Sequence, residues 1–96
     1  MMKLEVKVLG WKAPQRYAVR RAVLAALSTI QEARPDVQVE VVEVKQRLEI
    51  EKYTPVTVYP SLVVNEQLVC VGRFPRKDEI VGWLQRMLAA AAEIDS

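Results

Sequence analysis

The sequence predicts an α/β domain: a mixed four-stranded sheet with helices on both faces. Three observations predict it. Lys3–Leu9 and Val37–Val44 alternate polar and apolar residues, which is the period of a strand. Between them Val19, Ala22, Val23, Ala26, Leu27 and Ile30 recur at helical spacing as one apolar stripe. Two short apolar runs, Ser61–Val64 and Leu68–Val71, flank Asn65-Glu66-Gln67 and read as a hairpin.

Each element has its own start and stop. Gly10 ends the first strand, and Pro14 suits the first turn of a helix, where its missing N–H costs nothing. Pro35 ends that helix, because the residue before a proline is pushed out of the helical region. Strand, long helix and strand with short links form a βαβ unit, which is parallel and right-handed as a rule. The charged segment Lys45–Tyr53 reads as one or two helical turns that end at Thr54-Pro55. The final hairpin is apolar on both faces, as a doubly covered sheet requires. A closing helix follows the loop Gly72–Arg76, with Asp78 and Glu79 complementing the dipole in its first turn. Its stripe is Ile80, Trp83, Leu84, Met87, Leu88 and Ala91, and the tail after about residue 91 is expected to fray. Residues 1–96 therefore read as a single domain with the order β-α-β-(α)-β-β-α.

Composition narrows the chemistry. Of 96 residues, 51% are hydrophobic and 27% charged, which suits a small soluble domain with an efficient core. The net charge of +2 does not by itself call for nucleic acid. No apolar run approaches the roughly 18 residues that would span a bilayer, and Glu5 interrupts any leader-like stretch. The expected location is the cytoplasm, with no membrane association. The chain has one cysteine, Cys70, and no histidine. An intramolecular disulfide is excluded, as are Ser-His and Cys-His catalysis, and a metal site would lack its commonest ligand. No metal and no cofactor are expected.

Three segments carry a resemblance. Trp11-Lys12-Ala13-Pro14-Gln15 follows the first strand directly and opens the first helix; Val58-Tyr59-Pro60-Ser61-Leu62 opens the third strand; Val71-Gly72-Arg73 precedes the helix that begins near Lys77. In this order and near this spacing they resemble the thioredoxin family, over nearly the whole chain and closest to its small, glutaredoxin-sized members. The family carries Trp-Cys-Gly-Pro-Cys in the first place, so here Lys12 and Gln15 stand where its two cysteines would be. The resemblance implies a cis-proline at Pro60 facing that motif. A further relative of this kind is the clock-protein family of KaiB, which has a thioredoxin-like form without a cysteine pair; the closing Val-Gly and helix fit the small thioredoxin-like proteins better.

The loss has a physical meaning. Thiol–disulfide exchange needs a thiolate to attack and a second thiol to resolve the mixed disulfide. Lysine and glutamine supply neither. Cys70 lies in a strand between Val69 and Val71, where an apolar setting raises a thiol pKa and leaves it inert; the competing reading is a single-thiol oxidoreductase working through Cys70. The function expected is therefore a redox-inactive, non-enzymatic module. It would bind a protein or peptide, or a second copy of itself, through the former active-site surface of Trp11, Lys12, Ala13, Pro14, Gln15, Tyr59, Pro60 and Arg73. Trp11 and Tyr59 either stand exposed there as anchors or pack over the first helix and Pro60, and the sequence leaves both open. A third reading is an anion-binding face built from Lys12, Arg16, Arg20, Arg21, Arg73 and Arg76, against which surface arginines ordinarily just solvate. No Gly-rich phosphate loop or nucleic-acid motif accompanies it.

Overall fold

A computed structural model describes residues 2–95, and the side chains of residues 3–91. The elements are β1 (Met2–Leu9), α1 (Ala13–Ala33), β2 (Val37–Val44), α2 (Arg47–Glu51), β3 (Ser61–Val64), β4 (Gln67–Cys70) and α3 (Lys77–Asp95). The sheet order is β2-β1-β3-β4. β1 pairs with β2 in parallel, from Met2↔Val37 to Leu9↔Val44. β3 is antiparallel to both β1 and β4. The mixed four-stranded sheet matches the sequence prediction.

Strand alternation decides what each face buries. Leu4, Val6 and Val8 of β1 join Leu62 and Val64 of β3 on one face, against Val19, Val23, Ala26, Leu27 and Ile30 of α1 and Ile80, Leu84 and Leu88 of α3. Each valine, leucine or isoleucine side chain among them contributes about 1.5–3 kcal/mol when taken from water. The other face carries a small cluster of Leu9, Ile50 and Val63, with Val44 and Tyr53 at its margin. Helices thus lie on both faces, unequally: α1 and α3 on one, the short α2 on the other.

The ends of α1 follow local chemistry. Lys12 is its N-cap in extended conformation, with Pro14 in the first turn. At the other end Arg34 leaves the helical region (φ −133°, ψ 77°) ahead of Pro35, and its N–H still bonds to the Ile30 carbonyl at 2.8 Å. The turn of the hairpin is Asn65-Glu66, both at positive φ, and Gln67 already belongs to β4. Asparagine tolerates that conformation well, and its Oδ1 also accepts the Glu5 N–H at 2.9 Å. Glu66 is held by charge: Lys7 donates to it at 2.6 Å and to the Tyr53 hydroxyl at 2.7 Å, and that hydroxyl donates to Glu66 at 2.7 Å. These hydrogen bonds raise the Lys7 pKa and lower that of Glu66, and they tie the hairpin turn to β1 and to the segment after α2.

One expectation needs correction. The hairpin is not doubly covered throughout: β3 is buried along its length, but β4 is an edge strand and Leu68 is exposed, because α2 is too short to reach over it. α3 runs from Lys77 to Asp95. Alanine has the highest helix propensity of the residues, so the run from Ala89 sustains the helix. No helix of the described residues is long and apolar enough to cross a membrane.

Candidate functional site

Three loops converge at the end of the sheet where β1 and β2 finish. They are Gly10–Lys12 before α1, the segment 54–60 before β3, and the segment 71–76 before α3. Backbone bonds and small residues hold them together. Gly10 donates to the Val44 carbonyl at 3.0 Å, and a Cβ there would stand 3.2 Å from Arg16 Cγ and 3.9 Å from Pro60 Cβ. The Arg73 N–H bonds to the Pro60 carbonyl at 3.0 Å, and the Gly72 N–H bonds to the buried Ser61 hydroxyl at 3.0 Å. Gly72 sits at φ +64°, and a Cβ would come within 2.8 Å of Val56 Cγ1, so both backbone and space favour glycine. Thr54, also buried, accepts the Val56 N–H at 3.1 Å and shapes the start of its loop.

Of the eight residues read as a surface, Trp11, Lys12, Pro14, Tyr59 and Arg73 are exposed, Ala13 and Gln15 are half-buried, and Pro60 is buried. The choice left open for the two aromatics is decided for exposure: Trp11 is 56% and Tyr59 53% accessible. Lys12 makes no ion pair among the described residues. Gln15 has its Oε1 enclosed without a hydrogen-bond partner. An enclosed, unpaired acceptor of this kind costs about 1–3 kcal/mol. The expected cis-proline is not found. No cis peptide bond occurs among the described residues, so Tyr59–Pro60 is trans, the form an X–Pro bond prefers by about 0.5–1 kcal/mol.

The basic face does not assemble. Arg16 is buried, its Nη1 donating to the Gly10 carbonyl at 3.0 Å and its Nε to Glu43 at 3.2 Å. It is a brace between the first turn of α1 and the ends of β1 and β2. Arg73 turns toward α3, where it grips Glu79 through two bonds of 3.0 and 2.7 Å and lies 5.9 Å from the Trp83 ring centre. Arg76 is 3.6 Å from both Asp78 and Glu79. Glu79 also accepts the Arg76 N–H at 3.1 Å, a cap on α3. The Arg73 guanidinium, then that N–H, pull the Glu79 carboxyl down to about 2. Three of the six cations are thereby committed to internal partners.

Cys70 is the last residue of β4 and is 3% accessible, inside the larger core. Its Sγ lies 3.7 Å from the Arg73 carbonyl, and burial pushes the thiol pKa up although Arg73 pulls the other way. That setting disfavours a thiolate.

Two further residues belong to this surface and escaped the sequence reading. Val58 is 62% and Phe74 48% exposed, on the loops that carry Tyr59 and Arg73. A signal existed: Phe74 stands in a loop next to Pro75, outside any strand or helix period, where an aromatic side chain has no core to enter. Among the described residues, the backbone groups of Thr57, Val58 and Tyr59 make no hydrogen bonds within the chain. The converging loops thus carry exposed rings and valines together with a stretch of unpaired backbone.

A sequence model described as thioredoxin domain matches residues 4–85, from β1 into α3 and through all three loops. Comparison with curated proteins and with solved structures gave no match. The match spans most of the chain, including all four strands, the Trp–Pro opening of α1 and the Val-Gly loop. The chain belongs to the thioredoxin-domain family.

Proposed function

We propose that this thioredoxin-like domain is a non-enzymatic interaction module that takes an extended segment of a protein partner on the exposed side chains of Trp11, Val58, Tyr59 and Phe74, and that it performs no thiol–disulfide exchange. The observation that carries the reading is the exposure of these four side chains on the converging loops that also hold the unpaired backbone at 57–59. Large aromatic residues anchor interfaces by burying apolar area at little cost in conformational freedom. Unpaired backbone beside them offers an extended chain the hydrogen bonds of an added strand. Lys12 and Gln15 leave the start of α1 without a nucleophile or a resolving thiol, and the burial of Cys70 speaks against a replacement from β4. A single unpaired thiol and the absence of a membrane-crossing helix among the described residues are in keeping with a cytoplasmic setting.

The test uses a displayed peptide library panned on the whole chain. Peptides recovered on the wild type should lose at least roughly tenfold in affinity on the Trp11→Ala/Tyr59→Ala double variant, as a pair of interface anchors does. Their amide shift perturbations should concentrate on residues 10–16, 57–61 and 72–76. Recovered peptides that bind the double variant unchanged, or perturb a different part of the sheet, would refute the assignment.

A further inference from the structure

The two edges of the sheet are not alike. β4 has four residues, and its pairing with β3 is broken by an irregularity at Leu62/Val63. β2 has eight residues in unbroken register with β1, which makes it roughly 26 Å long at about 3.3 Å per residue. Its sequence, Val-Gln-Val-Glu-Val-Val-Glu-Val, contains none of the lysines, prolines or bulges with which proteins blunt an open edge. Its two carboxylates are already offset within the chain, Glu40 by Lys3 at 3.7 Å and Glu43 by Arg16 at 3.2 Å. The Val44 carbonyl accepts from Gly10 on the β1 side. By strand alternation, Val39, Val41 and Glu43 turn their N–H and C=O groups toward the open edge.

We infer that β2 is a dimerisation edge, which pairs antiparallel with β2 of a second copy of this chain and joins the two sheets into one. A two-fold axis normal to the sheet requires that each residue meet one facing the same way, so only alternate registers are allowed. Centring on Val41 sets Val41 against Val41, Val39 against Glu43 and Glu40 against Val42. The outward backbone groups of Val39, Val41 and Glu43 are then all paired, and no like charges stand opposite each other. Moving the centre to Glu40 would oppose two carboxylates, which destabilises a strand pair. Moving it to Val42 would shorten the overlap.

The helix above this edge points the same way. Arg16 and Gln31 of α1 both reach β2, at Glu43 and at the Val37 carbonyl. Residues on the stripe between them therefore lie over β2. Leu27 on that stripe is buried, while Leu24 is 43% exposed on the flank. The two-fold places both α1 helices on one face of the joined sheet, and Leu24 meets its counterpart close to the axis. One strand and one helix flank make a small interface, so the association is weak and concentration-dependent.

Light scattering and sedimentation equilibrium of the whole chain test this. The apparent mass should rise from 10.9 kDa toward twice that value with concentration. Leu24→Glu, an exposed substitution, should weaken the dimer at least roughly tenfold by setting two carboxylates at the axis. Val41→Pro removes an outward N–H without breaking a bond to β1 and should do the same; if circular dichroism shows that it fails to fold, Leu24→Glu decides alone. The Trp11→Ala/Tyr59→Ala variant should dimerise like the wild type, which separates this contact from the proposed peptide surface. A mass that stays at 10.9 kDa at every concentration, or a dimer unchanged by Leu24→Glu, overturns the inference. So does a dimer lost in the aromatic double variant.

Discussion

The two faces of the sheet solve the same problem with different means. Under α1 and α3 the sheet meets a continuous aliphatic layer from Leu4 to Leu88. Under α2 it meets only Leu9, Ile50 and Val63, and beside them the hydrogen-bonded group of Lys7, Tyr53 and Glu66 takes over. The thick face supplies most of the fold's stability because burial scales with area. The thin face fixes the position of a turn and a short helix. The site loops hang from the sheet's end and belong to neither layer, which is why they can expose aromatic side chains without weakening the core.

The contrast can be broken most strongly at its two centres. Leu84→Ala in the thick layer should cost about 3–5 kcal/mol, whereas Ile50→Ala under the single turn of α2 should fall near 2 kcal/mol, where the cavity collapses or fills with water. Urea unfolding of the two variants measures the difference, and equal losses would erase the distinction between the faces. Gly72→Ala should come next, at about 1–3 kcal/mol, from a left-handed backbone and a collision with Val56. Adding Val56→Ala should recover the collision part and leave the backbone part.

The smallest effect is in acid. Glu79 and Glu66 both titrate below the ordinary carboxylate range in the folded chain, Glu79 at about 2. A lowered carboxyl stabilises the fold above its unfolded pKa, and that contribution is lost as pH falls from about 4.5 through the folded value. Glu66 is exposed and Glu79 is half-buried at the surface, so solvent screens the effect and the slope is modest. Glu66→Gln should flatten the acid limb of stability against pH for the thin face, and Glu79→Gln should do so for the loop before α3, each read from thermal melts between pH 2 and 5 with the wild type as reference.

Much of the fold was legible because it is written in local periods. The alternation of β1 and β2, the stripe of α1 and the stops at Gly10 and Pro35 each need only a few neighbouring residues. What escaped depends on partners far along the chain. Arg16 looks like any surface cation until the Gly10 carbonyl and Glu43 are brought to it, and Arg73 looks free until Glu79 turns toward it. Ser61 gives no sign in sequence that its hydroxyl will cap the Gly72 loop. The exposure of Trp11 and Tyr59 was undecidable from pattern alone, because an aromatic at the end of a strand can turn either way.

The most direct trial of a thioredoxin-like scaffold without thiol chemistry is a disulfide-reduction assay on the whole chain with an external dithiol as reductant. The wild type and Cys70→Ser should both show only the uncatalysed rate, because Lys12 and Gln15 provide no thiol and Cys70 is sealed in the core. Turnover by the wild type that disappears in Cys70→Ser would contradict this account.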